Sequence, residues 1–198
     1  MTDIRLKSAT PPFSDAVQAT LDRVMPPGVP PLVLFTTLAR SGRAFSRFMA
    51  AGLLDKGPVA LREREIMIDR TCARCGSEYE WGVHIAFFAE RAELSKEQVA
   101  ATAVREVDSK LWSEQDRLVL RLADELHDTS TVSDGLWAEL ARAFSDEQIL
   151  EFILLAGFYR TVAYLTNGLK LPLEDYAVRF PSRAASGDTK PVESRGPN

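Results

Sequence analysis

Apolar positions recur at spacings of three and four along most of the chain, and no stretch holds a convincing period-two alternation. The pattern predicts helices over 15–25, 32–54, 59–75, 78–92, 114–128, 134–144 and about 146–170, with a short one after Ser95. Serines stand where helix starts are expected. Ser14, Ser113 and Ser133 precede helical runs, while Ser95 with Gln98 and Ser145 with Gln148 have the spacing of a capping box. Breaks are equally marked. "PPGVPP" after Met25 blocks helix continuation, "DKGP" turns the chain, and Gly76 tolerates the left-handed conformation that ends a helix. The expected fold class is all-α, a bundle of about eight helices. One domain spans 1–180, and the polar, Pro-, Ser- and Gly-rich segment 181–198 is expected to be a disordered tail.

Composition narrows the function. The 198 residues are 45% apolar, enough for a core without staples, and the net charge is −4 with both signs interleaved. That balance gives no electrostatic footprint for nucleic acid or anionic lipid. The first fifteen residues lack the apolar core of a signal peptide. The most apolar run, from Ile149, is interrupted by Glu151 and Arg160 and reads as a buried core helix rather than a membrane span. A cytoplasmic location is expected, where two cysteines make no structural disulfide. Two cysteines with His84 and His127 could complete a zinc site only at unfamiliar spacing, so no metal is expected.

The candidate chemistry gathers in "RTCARCGSEYEWGVH", Arg70 to His84. Taking about 100° per residue, Glu80 lies about −60° and His84 about −20° round the axis from Ser77, so the three share a face. The preceding helix could bring Glu65 against that face. A carboxylate beside an imidazole orients the ring and sets its proton affinity. Two carboxylates and a histidine in an apolar pocket suit proton transfer. The same residues also admit plainer roles. Ser77 and Glu80 have capping-box spacing, His84 sits in the apolar run "WGVHIAFF", and Glu65 belongs to the charged run "REREIM". Cys72 and Cys75 form a Cys-x-x-Cys pair, near the end of a helix whose dipole disfavours thiolate.

The segment "LREREIMIDRTCARCGSEYEWGVHIAFFAERAELS" resembles the core motif of the carboxymuconolactone decarboxylase family, which includes the alkylhydroperoxidase D proteins. "WSEQDRLVLRLADELH" and "FSDEQILEFILLAGFYRTVAYLTNGLKLPLE" are similar to the closing half of its longer members, so the resemblance covers about Leu32 to Glu174. It implies an alkylhydroperoxidase D-like helical bundle. The peroxidase branch places a glutamate twelve residues before a cysteine, a second cysteine three further on, then a histidine four beyond. Matched on Glu65 and His84, those thiol positions hold Ser77 and Glu80, and Cys72 and Cys75 fall five residues early.

The chain is therefore more similar to the decarboxylase branch, which works without metal or organic cofactor on a small lactone acid. The resemblance implies catalytic His84, Glu65, Glu80 and Ser77, with His84 as proton donor or shuttle. Arg62, Arg64 or Arg74 would bind a carboxylate, and Tyr159 and Asn167 are weaker pocket candidates. Three readings stand: a cofactor-independent lyase or isomerase acting on a lactone or carbonyl acid; a thiol-dependent alkylhydroperoxidase using Cys72 and Cys75; and a non-catalytic helical binding protein, in which His84 is buried with no cavity beside it. The expected partners are a small-molecule substrate and further copies of the chain, as a trimer, hexamer or dimer, with neither nucleic acid nor membrane.

Overall fold

Nine α-helices follow one another among the described residues, with no strand between them. They are α1 (Asp15–Val24), α2 (Val33–Leu38), α3 (Gly42–Ala51), α4 (Leu61–Arg74), α5 (Glu78–Phe88), α6 (Lys96–Thr102), α7 (Glu114–Thr129), α8 (Asp134–Ala143) and α9 (Asp146–Leu169). A 3-10 turn over Ser109–Leu111 precedes α7. The computed structural model describes residues 4–104 and 109–181, so the expected tail 181–198 lies outside them apart from Pro181.

The helix count exceeds the expected eight because the run 32–54 is two helices. Ala39 to Ser41 turns the chain, and the Ser41 hydroxyl accepts from the Ala44 amide at 3.3 Å, capping α3. Apolar spacing alone does not show such a break, because both halves keep the same stripe. The run 78–92 also stops early, at Phe88, and turns. The serine caps before α6, α7 and α9 form reciprocal boxes, with Gln98, Asp116 and Gln148 reaching back.

α4 is the core element: every residue from Glu65 to Cys72 is buried. It packs against α5, α7 and α9. Gly76, at φ 66°, closes α4 in a Schellman arrangement: the Ser77 amide reaches the Cys72 carbonyl and the Gly76 amide the Ala73 carbonyl. Four ion pairs among the described residues tie α4 to α7: Arg62–Asp116, Arg70–Asp124 and Arg74–Asp128, each separated by 54 residues, and Arg74–Asp124. A constant offset means that the two helices run parallel and in register.

α9 is long and apolar enough to cross a membrane by length and composition, contrary to the expectation that Glu151 and Arg160 disqualify it. Its buried stripe, Ile149, Phe152, Leu155, Tyr159 and Val162, nevertheless packs into the protein core.

After α9 the chain lies across α5. The Val178 amide donates to the Gly82 carbonyl at 3.1 Å, and the Trp81 and Phe180 rings meet at 5.0 Å. Glu174 accepts from the Val33 amide and from the Tyr79 hydroxyl, joining this strap to the start of α2. A Cβ on Gly82 would stand 2.2 Å from the Val178 carbonyl oxygen. Gly82→Ala is therefore expected to lower stability by about 1–3 kcal/mol. Thermal denaturation would show the loss, and an unchanged midpoint would mean that the strap does not bear on α5.

Candidate active site

α4 and α5 form a hairpin that sets Glu65 against His84. The Glu65 Oε2 to His84 Nδ1 distance is 2.7 Å, and both side chains are buried. On the ring's other side Glu80 Oε1 stands 3.5 Å from Nε2, one turn back along α5. The imidazole is thus held between two carboxylates. Burial alone would disfavour its charged form, but Glu65 and then Glu80 outweigh it and raise the His84 pKa to about 10. His84 is an imidazolium at neutral pH, with one N–H directed to each carboxylate.

Glu65 is itself clamped. Arg64 donates to its other oxygen at 2.9 Å and to the Leu54 carbonyl, with the guanidinium over the Phe88 ring. Tyr159 stacks edge-on against the imidazole at 5.0 Å. The far oxygen of Glu80, Oε2, is buried and makes no hydrogen bond among the described residues.

His84, Glu80 and Tyr159 form the polar wall of a cavity of about 510 Å³. Its remaining walls are mainly apolar, with Phe35 and Phe48 from α2 and α3, Phe87 from α5 and Phe158 from α9. Arg23, exposed on α1, is the arginine that reaches its lining. The volume and the mainly apolar lining with a few polar groups are those of a small-molecule site.

The expected face needs correction in two places. Ser77 does not cap α5: its hydroxyl pairs with that of Thr166 at 2.9 Å, deep in the core. Nor does Glu80 close a capping box, because its carboxylate turns to His84. Ser77 therefore supports the α5–α9 contact, and neither it nor a thiol lines the cavity. None of Arg62, Arg64 and Arg74 lines it either. Arg62 holds Asp116 and the Ala92 and Glu93 carbonyls, Arg74 pairs with Asp124 and Asp128, and Arg64 serves Glu65. Asn167 donates to the Cys75 carbonyl instead of facing the cavity.

Asp69 escaped the sequence reading. It lies one turn after Glu65 on α4, is 1% exposed, and its Oδ1 finds no partner among the described residues. Burial, then the neighbouring Glu65, hold its carboxyl well above the usual range. A polar residue four places after Glu65 inside "IMID" was the available signal. Glu65, Asp69 and His84 are also the group able to hold a cation, with donor atoms within 4.8 Å of one another. The Glu65–His84 separation of 2.7 Å is a hydrogen bond, which an ion there would have to displace.

The two cysteines are free and differently placed. Cys72 is fully buried, and burial together with Glu80 and Asp69 pushes its thiol well up. Cys75, the C-cap of α4, is half-buried.

No family model matches the sequence, and no curated protein matches it. Solved structures do. An uncharacterized peroxidase-related protein from Silicibacter sp. TM1040 superposes with a TM-score of 0.73 at 14% identity, covering 89% of this chain and 97% of its own. A protein of unknown function from Agrobacterium tumefaciens, described as a candidate antioxidant defence protein AhpD, gives 0.59 at 21% identity, over 68% of this chain and 93% of its own. The chain thus has the all-α fold shared by the carboxymuconolactone decarboxylase and alkylhydroperoxidase D-like proteins.

Proposed function

We propose that the protein is a cofactor-independent lyase or isomerase that moves a proton on a small lactone or carbonyl acid. The observation that carries this reading is the buried Glu65–His84–Glu80 array at the wall of an apolar cavity. When a carboxylate leaves as carbon dioxide, the bonding pair moves towards the neighbouring carbonyl. The resulting enolate carbon needs a proton, and the Nε2–H of His84 is placed to give one. Glu65 fixes the ring through Nδ1, while Glu80, with its unpartnered oxygen, is placed to return a proton to Nε2 or to take one from substrate. The apolar walls disfavour a localised carboxylate and so favour its loss.

The competing readings have less support. A thiol peroxidase needs an exposed thiol of low pKa, yet both thiols are pushed up, and neither lines this cavity. A non-catalytic role for His84 requires a ring packed against protein on all sides, whereas His84 borders open space.

The test is a panel of small lactone acids and β-carbonyl acids in deuterated buffer, followed for carbon dioxide release and for deuterium at the carbon beside the carbonyl. Activity is expected to hold through neutral pH and to fall as pH approaches about 10, where the imidazolium loses its proton. Absence of release and exchange across the panel would oppose the reading.

The charge state can be checked without substrate. His84 should remain protonated by nitrogen NMR at pH 8, and Glu65→Gln should bring its titration down towards the ordinary value of about 6.5. The sign for stability follows. The folded pKa is raised, so this array's contribution is complete below the unfolded value and is lost as pH rises through about 10. A titration of His84 near 6.5 in the unmutated chain would sink the assignment of an imidazolium donor.

A further inference from the structure

A second cavity, of about 210 Å³, shares no lining residue with the first. It lies between α4, α7 and α9 and holds Cys75, His127 and Arg160 among the apolar side chains of Ala123, Leu126 and Ile153. The Cys75 sulfur stands 3.7 Å from His127 Nδ1, within hydrogen-bonding reach for sulfur. Side chains of α9 pin both residues by their backbones. Asn167 donates to the Cys75 carbonyl at 3.0 Å, and Arg160 donates to the His127 carbonyl at 3.2 Å. A nucleophile, a base and a cation therefore converge on one small hollow, away from His84.

We propose that Cys75 is the nucleophile of a second, base-assisted thiol site, with His127 as its base and Arg160 favouring a small electrophile that carries a carboxylate. In the step, the Cys75 sulfur forms a bond to the electrophilic carbon, and the leaving group departs with its bonding pair. The thiol proton passes to His127 Nδ1 and then to solvent, and nothing is oxidised or reduced. His127 must then be the tautomer protonated on Nε2, with the Nδ1 lone pair turned to sulfur.

The charges around the pair agree. Burial pushes the Cys75 thiol up, and Arg160 and Arg74 only partly offset this. Burial and the same two arginines push His127 down, against Asp128 and Asp124 on α7. Both groups are thus held neutral, as thiol and free base, which is the starting state for attack assisted by a general base. Cys72, three residues back, lies in the core among carboxylates and takes no part.

The experiment treats the full-length folded protein with iodoacetate and, separately, with iodoacetamide from pH 5 to 9. Intact mass and peptide mapping locate the adduct. One carboxymethyl group is expected on Cys75 and none on Cys72. Because His127 loses its proton below about 6.5, the rate should level off by neutral pH, whereas an ordinary thiol keeps gaining up to about 8.5. Iodoacetate should be favoured several-fold over iodoacetamide, relative to free cysteine. His127→Gln should slow labelling at pH 7 by about tenfold or more and restore the rising profile. The profile of the unmutated protein decides the matter even if that variant folds poorly. Labelling of Cys72, no labelling of the folded chain, or a profile that climbs like free cysteine would each overturn the site. Equal relative rates for the two reagents would remove the anion preference and with it the proposed class of electrophile.

Discussion

His84→Gln is expected to reduce proton-transfer turnover by about 10²–10⁴ in kcat, the range that a positioned acid or base contributes. Glutamine retains hydrogen-bonding groups but cannot carry the mobile proton. KM should change much less, because the apolar walls supply most of the contact with substrate. The exchange of deuterium into substrate should fall in parallel with product formation, since both draw on the same Nε2–H. Circular dichroism and the thermal midpoint must show that the variant is folded. A folded variant with kcat within about threefold of the unmutated protein would exclude His84 as the donor. Glu80→Gln provides a graded comparison. Its carboxylate is the more distant one, at 3.5 Å against 2.7 Å for Glu65, so it should matter for recycling the proton more than for holding the ring.

The reason this array could be read from the chain is local geometry. Glu80 and His84 fall on one helical face by counting residues, and Gly76 reverses the chain so that α4 meets α5. The three capping boxes that formed are equally local. Ser77 and Glu80 have the same box spacing, yet tertiary partners claimed both: Thr166 from α9 took the hydroxyl and His84 took the carboxylate. A short-range pattern cannot rank those competitors, because Thr166 is 89 residues away. The cavity was hidden for the same reason. Its walls come from α1, α2, α3, α5 and α9, and only the packed fold brings Phe48 within 5.0 Å of Phe158. The arginines of α4 were legible as charges but not as partners. Apart from Arg64, which holds its neighbour Glu65, their acids lie on α7, at a distance along the chain that no helical period predicts.

That ion-pair ladder sustains the second large expectation. Arg70 is 1% exposed and binds Asp124 through two parallel hydrogen bonds, of 2.7 Å and 2.9 Å. It also donates to the carbonyls of Thr102 and Val104 at the end of α6. Arg70→Met keeps the aliphatic stem but leaves a carboxylate and two carbonyls without that donor. Asp124 is 31% exposed and keeps Arg74, so the loss falls below that of breaking a fully buried pair, at about 2–3 kcal/mol. For a chain of this size that corresponds to a drop of about 5–10 °C in Tm. Arg121→Met is the matched control: its pair with Glu139 is 47% and 42% exposed, and its loss should move the midpoint far less. Equal midpoints for the two variants would show that the ladder is not structural. The loss should stop short of the active site. Glu65 and His84 meet within the α4–α5 hairpin, and α5 packs on α4 and α9. Arg70→Met should therefore lower Tm while leaving the His84 titration near 10, whereas His84→Gln removes turnover in a chain that stays folded.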